Sequence, residues 1–135
     1  MTDQVHIDEL AEVIYNGNRL KGFYDDAPVG SLSLAMGYQE LPEEWKANHR
    51  IYLGNKLMLV VGELVEAHES IRKNDNAFTG KSEHIPAFSP VEEEIADAII
   101  RLLDFAGYNK LRLAQAIKAK LIYNQGRPYK HGKKF

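Results

Sequence analysis

Ser89-Pro90-Val91-Glu92-Glu93-Glu94-Ile95-Ala96-Asp97-Ala98-Ile99-Ile100-Arg101-Leu102-Leu103-Asp104-Phe105-Ala106-Gly107 is the stretch that decides the fold class. Ser89 stands as an N-cap, Pro90 occupies the first helical position, where its missing N–H costs nothing, and Glu92 completes a capping box. Val91, Ile95, Ala98, Ile99, Leu102, Phe105 and Ala106 recur at helical spacing as a core face, and Gly107 is a natural stop. On the same wheel Glu94 and Asp97 fall away from the apolar stripe, beside Arg101 and Asp104.

Upstream, Pro42-Glu43-Glu44 opens a long helix that runs to about Lys73. Leu53, Leu57, Val60, Val61, Leu64, Ala67 and Ile71 form one apolar stripe on it. Met58, Leu59 and Val65 widen that stripe beyond one core face, so the middle of the helix is expected to be covered on more than one side. Between the two helices, Asn74-Asp75-Asn76, Gly80 and Pro86 read as a long, mobile connection. A first short helix is expected from residue 4 to about 17, on Val5, Ile7, Leu10, Val13 and Ile14, followed by loop from Gly22 to Tyr38. A fourth helix runs from about Lys110 to Asn124 on Leu111, Leu113, Ala114, Ile117, Leu121 and Ile122, and Gly126 and Pro128 end it. No alternating run makes a strand. The expectation is an all-α domain of four main helices, a single unit over 1–135.

The chain has 135 residues, enough for one domain with a core and too few for two ordinary ones. Its net charge of -2 argues against general attraction to nucleic acid or anionic membrane. It has no cysteine, which excludes disulfides, thiolate catalysis and Cys-based metal sites. The start, Met1-Thr2-Asp3-Gln4-Val5-His6, lacks a signal-peptide pattern, and the longest apolar run, Leu57 to Val61, is far short of a membrane span. A soluble, cytoplasmic protein without membrane or nucleic-acid partners is expected.

Two carboxylate pairs bear on chemistry. Glu63 and Glu66, like Glu94 and Asp97, are three residues apart, which puts each pair on one helix face with Cβ atoms about 5–6 Å apart. If the second and third helices run antiparallel, the pairs meet. Four carboxylates in one place need a cation, and Mg²⁺, a hard ion that takes oxygen ligands, fits. A solvated acidic face explains the same spacing and is the commoner fate of such residues, while apolar Leu59 and Val60 beside Glu63 argue that this face is covered. Spacing leaves both readings open. Glu69 reads as solvated and Glu93 as complementing the helix dipole. Trp45, Phe23 and Tyr38 suit stacking on a base or packing, with Phe23 assigned to packing. His68, two residues after Glu66, lacks the Glu-x-x-His spacing of a di-iron bundle. No Gly-rich phosphate loop or Ser/His nucleophile pattern is present.

Gly62-Glu63-Leu64-Val65-Glu66-Ala67, then Glu94-Ile95-Ala96-Asp97, then Lys120-Leu121-Ile122-Tyr123-Asn124-Gln125-Gly126-Arg127-Pro128-Tyr129 form an ordered set. That set resembles the MazG-like group of all-α NTP pyrophosphatases, marked by EExxE and then ExxD on two helices with a later Lys and Asn. Lys21-Gly22-Phe23 and the ending Arg127 to Phe135 are similar to a bacterial and phage subgroup. The likeness spreads over most of the chain and is weakest from about 25 to 50 and from 74 to 88. Gly62 stands where the full motif has its first glutamate, but the two metal-ligand positions match at Glu63 and Glu66.

The resemblance implies a four-helix-bundle-like MazG domain, assembled as a homodimer or homotetramer. It implies Mg²⁺-dependent hydrolysis of a nucleoside triphosphate to the monophosphate and pyrophosphate, with Mn²⁺ as a substitute ion. Glu63, Glu66, Glu94 and Asp97 would be the metal ligands and catalytic carboxylates. Lys120, Asn124 and Arg127 would bind substrate, although each also has an ordinary surface explanation. The tail bearing Lys130, His131, Lys133 and Lys134 would close over phosphates or stay solvated. The alternatives are a catalytically silent helical module, regulatory or partner-binding, or a hydrolase of another nucleotide phosphoanhydride such as an alarmone.

Overall fold

The computed structural model describes residues 6–25, 27 and 40–129. Residues 26 and 28–38 of the expected Gly22–Tyr38 loop, the residues before His6, and the tail with Lys130, His131, Lys133 and Lys134 lie outside them. Among the described residues there are four α-helices and no strand: α1 (Ile7–Leu20), α2 (Glu43–Lys73), α3 (Pro90–Tyr108) and α4 (Leu113–Gln125). The fold is all-α, and no described helix is long and apolar enough to cross a membrane.

The α3 capping box forms as its residues dictate. The Ser89 hydroxyl accepts the Glu92 N–H at 3.2 Å, and the Glu92 carboxylate accepts the Ser89 N–H at 2.7 Å. Pro42 is the N-cap of α2, with Glu43 and Glu44 in the first turn. α1 continues past the expected end to Leu20, and Gly22 then takes a φ of 85° that only glycine adopts without strain. α4 begins at Leu113 rather than near Lys110, because Lys110 adopts a left-handed φ of 53° that separates it from α3. α4 has no side-chain cap of its own. Asp8 of α1 accepts the Ala114 N–H at 3.0 Å, satisfying one of its orphan donors from across the chain.

The connection from 74 to 89 is not the open segment its composition suggests. Ser82 is buried; its N–H reaches the Phe88 carbonyl at 2.8 Å and its hydroxyl donates to the Ile85 carbonyl at 2.7 Å. The Ala77 carbonyl accepts the Val91 N–H, tying the loop to the first turn of α3. Turn chemistry within the segment therefore replaces the helical ladder.

α3 is the central element, packed between α1 and α2. Against α2 it runs antiparallel: Tyr52 meets Tyr108, Glu63 meets Asp97 and Glu66 meets Glu94, so numbers rise on one helix as they fall on the other. Against α1 it forms a small core of Ala11, Leu103 and Ala106, with Ile7, Ile14 and Leu113 packed on it. A Cβ on Gly107 would lie 2.5 Å from the Ala11 carbonyl oxygen and 2.7 Å from the Tyr15 Cβ. Gly107 thus does not stop α3, which continues to Tyr108; it lets two backbones approach. Tyr15, Tyr24 and Tyr108 close this end, the last two stacked with centroids 4.7 Å apart.

The apolar stripes are only partly used inside one chain. Ala98 and Ala106 of the expected α3 face are buried, joined by Leu103, but Ile95, Ile99 and Leu102 are exposed. On α2, Val60 and Ala67 are buried while Leu57, Val61, Leu64 and Ile71 are exposed. The reason is orientation: α3 turns Glu94 and Asp97 toward α2, with Arg101 reaching Glu63, and leaves much of its apolar surface outside. Gly107→Ala places a methyl group against the Ala11 backbone and is expected to cost about 1–3 kcal/mol of stability. Urea unfolding followed by circular dichroism would read this as a lower midpoint.

Candidate metal centre

Val60 and Ala67 flank Glu63 on the buried side of α2, and Ala98 follows Asp97 on α3. Burying these small and branched side chains brings the two acidic faces together at the seam. Glu63, Glu94 and Asp97 each offer a carboxylate oxygen within 4.8 Å of the others, and all three are partly buried. Oxygens on one Mg²⁺ at about 2.1 Å lie about 3.0 Å apart when adjacent and about 4.2 Å apart when opposite, so the triad needs to close by about 1–2 Å to hold such an ion. Glu66 stands just outside the triad and is joined to it by a hydrogen bond with Glu94.

The electrostatics record the crowding. Burial first, then the hydrogen bond to Glu66 and the charges of Glu66, Asp97 and Glu63, push Glu94 up to about 7. Asp97 is raised as well, by burial and by Glu63 and Glu93, against opposing contributions from Arg101 and His84. Near neutral pH Glu94 is thus held toward its protonated form, its hydrogen bond running to Glu66. A divalent cation is the other way to relieve the same repulsion, and all four donors are hard oxygens.

Two basic groups frame the triad. Arg101 Nε donates to Glu63 Oε1 at 2.7 Å. His84, on the connecting loop, meets Glu93 through its backbone N–H at 3.1 Å and its Nδ1 at 2.7 Å. The hydrogen bond lowers Glu93 and raises His84, so Glu93 clamps the loop beside the carboxylates rather than only complementing the helix dipole. Glu69 is engaged with Arg72 and Lys73 on the surface, as its sequence position suggests.

Two cavities share the centre. One, of about 740 Å³, lies under the loop and is lined by the four carboxylates with Ser82, Glu83, His84 and Glu93. The other, of about 460 Å³, opens toward α1; Glu63 and Asp97 line it too, with Asn18, Phe23, Lys56, Arg101 and Asp104. Phe23 is 56% exposed on this wall, not packed in the core. A further cavity between α1 and the end of α3 contains none of the carboxylates.

Lys120, Asn124 and Arg127 do not reach the centre within one chain. They lie on or just after α4, which makes its small contact with α1, and none of the three lines either cavity of the centre. Lys120 and Arg127 gather instead over the Tyr123 ring, 4.4 and 5.7 Å from its centroid, and Asn124 Oδ1 is buried without a hydrogen-bond partner. Arg101 and Lys56 were not singled out as ligand-binding groups from sequence. For Arg101 the signal is its position four residues after Asp97, on the same face; the place of His84 has no local signal.

No protein-family model, curated protein or solved structure matches the chain. The centre is therefore defined by its own geometry, as an acidic site able to hold a metal ion in an all-α fold.

Because Glu94 in the folded chain holds its proton up to about 7 while the ordinary glutamate value is 4.5, the metal-free protein is expected to lose stability as pH rises between these values. Glu94→Gln, neutral throughout, should lack that part of the slope and melt higher than wild type at pH 8 without metal. Mn²⁺ should raise the wild-type midpoint and not that of the variant. Thermal scans at pH 5 and 8, with and without Mn²⁺, measure both effects.

Proposed function

We propose that this chain is a Mg²⁺-dependent nucleotide pyrophosphohydrolase of MazG-like type, converting a nucleoside triphosphate to the monophosphate and pyrophosphate. The observation that carries this reading is the meeting of Glu63, Glu94 and Asp97 oxygens within 4.8 Å across two antiparallel helices. The order of the carboxylate pairs, with Lys120 and Asn124 downstream, supports it.

In this reading Glu63, Glu94 and Asp97 hold the ion, with Glu66 at the edge of the set. When bound, Mg²⁺ supplies Lewis-acid polarisation of a phosphoryl oxygen and lowers the pKa of water. Glu66, hydrogen-bonded to Glu94 but outside the tight triad, would act as the general base in this reading. Ser82 and the His84–Glu93 pair hold the loop beside the centre. Gly62 has open space where a Cβ would stand, so the glutamate of the full motif is sterically allowed there and its absence reflects no packing demand within the chain.

The same reading includes assembly as a homodimer or homotetramer. Leu57, Met58, Leu64 and Val65 of α2 and Leu121 and Ile122 of α4 are exposed, and α4 buries no residue within the chain. A second copy is the occupant that fits: it would cover these faces, and its α4 would supply Lys120, Asn124 and Arg127 to the centre.

Incubation with Mg²⁺ and a panel of canonical and modified NTPs and dNTPs, extended to alarmones and dinucleotide polyphosphates, tests the activity. Monophosphate plus pyrophosphate from at least one triphosphate is expected, with turnover reduced about 100-fold or more in Glu94→Gln. No product across the panel, or unchanged turnover in the variant, rejects the hydrolase reading. Light scattering should give two or four 15.3-kDa chains, and Ile122→Glu should lower both the mass and the turnover.

A further inference from the structure

Two cavities open on the same carboxylates, and they differ in how far cations offset the acidic charge. Under the loop, Glu63, Glu66, Glu83, Glu93, Glu94 and Asp97 face one imidazole, that of His84, already engaged by Glu93. A phosphate entering there meets carboxylates on every wall. On the α1 side, Lys56 and Arg101 stand beside Glu63 and Asp97. Lys56 is held over aromatic faces, its Nζ 4.6 Å from the Tyr24 centroid and 5.3 Å from that of Tyr52, and among the described residues no carboxylate pairs with it. Among the described residues Arg101 holds Glu63 through Nε, with the two terminal nitrogens of the guanidinium left for another acceptor. Asp104, whose carboxylate also takes a hydrogen bond from Tyr24, lines the same cavity, and among the described residues its buried Oδ1 has no hydrogen-bond partner, which suits it to a donor on a ligand.

Resting on the metal reading above, we propose that Arg101 is the resident counter-cation of the metal-free centre, and that it forms with Lys56 the phosphate seat on the α1 side. Arg101 and a divalent ion both draw on Glu63, so they compete for it. Without metal, Glu63, Asp97 and Asp104 outweigh the two cations of this cavity and repel anions. A divalent ion on the triad reverses that balance, so phosphate binding follows metal binding. The phosphates of the substrate then lie toward Lys56 and Arg101, and the rest of the nucleotide extends along Phe23 and Asn18, away from the loop.

The test uses Mn²⁺ alone and imidodiphosphate, a non-hydrolysable and base-free phosphate probe, in calorimetric titrations of the full chain. Wild type is expected to bind Mn²⁺, and to bind imidodiphosphate at least about tenfold tighter with Mn²⁺ than without it. Arg101→Gln should bind Mn²⁺ severalfold tighter, since the competitor is gone, and imidodiphosphate about tenfold more weakly in saturating Mn²⁺. A merely structural arginine would not tighten metal binding when removed. Lys56→Gln should weaken imidodiphosphate and leave Mn²⁺ affinity near wild type, and Arg101→Lys, which keeps the charge and fold, should fall between wild type and Arg101→Gln. Mn²⁺ binding by wild type together with unchanged affinities in Arg101→Gln and Lys56→Gln overturns this inference alone. No Mn²⁺ binding by wild type overturns the metal reading and the inference with it.

Discussion

Carboxylates crowd the seam between α2 and α3, and the rest of the molecule is arranged around tolerating them. Like charges in a partly buried seam are expensive, and three features lessen the repulsion: Glu94 is held toward its protonated form, Arg101 stands on Glu63, and Glu94 shares a hydrogen bond with Glu66. Burying Val60, Ala67 and Ala98 around the acidic groups holds them there. A helix pair selected for stability alone would have put Ile95, Ile99 and Leu102 into this seam. Instead those side chains are exposed, and the acidic groups face each other across the seam.

The opposite face of α3 carries the structural load. Ala11, Leu103 and Ala106 make a core of small and medium side chains, and Gly107 allows the α1 backbone to approach where any Cβ would collide. The stacked Tyr24 and Tyr108 rings extend that contact, and burial with a hydrogen bond to Asp104 keeps the Tyr24 phenol protonated. Through Asp104 and Lys56 this aromatic end is continuous with the cavity beside the carboxylates. Packing of α1 on α3 therefore shapes one wall of the candidate site.

Exposed apolar surface on α2, α3 and α4 follows from the same choice. A helix that spends one face on acidic groups and another on a neighbour has apolar residues left over, and within one chain nothing described covers them. Self-association accounts for that surface and for the distance between α4 and the centre with one proposal. The loop from 74 to 89 contributes differently, since Ser82 and the His84–Glu93 pair bind it to α3 at the edge of the acidic cavity.

Local rules in the sequence determined much of the architecture. The capping box at Ser89, the proline before α2, the helical spacing of apolar residues and the lack of alternation gave an all-α chain with helix ends close to those found. The carboxylate pairs were legible as well, because spacing of three fixes which residues share a helix face. Whether those faces met water or each other was not legible, since periodicity ranks the faces of one helix without naming its neighbour. Only the antiparallel register of α2 on α3 decided that Glu63, Glu94 and Asp97 converge, that Arg101 stands on Glu63, and that Lys120, Asn124 and Arg127 lie elsewhere in the chain. Gly107 shows the same division: its position near a helix end is local information, while its purpose depends on a backbone nearly a hundred residues away in sequence.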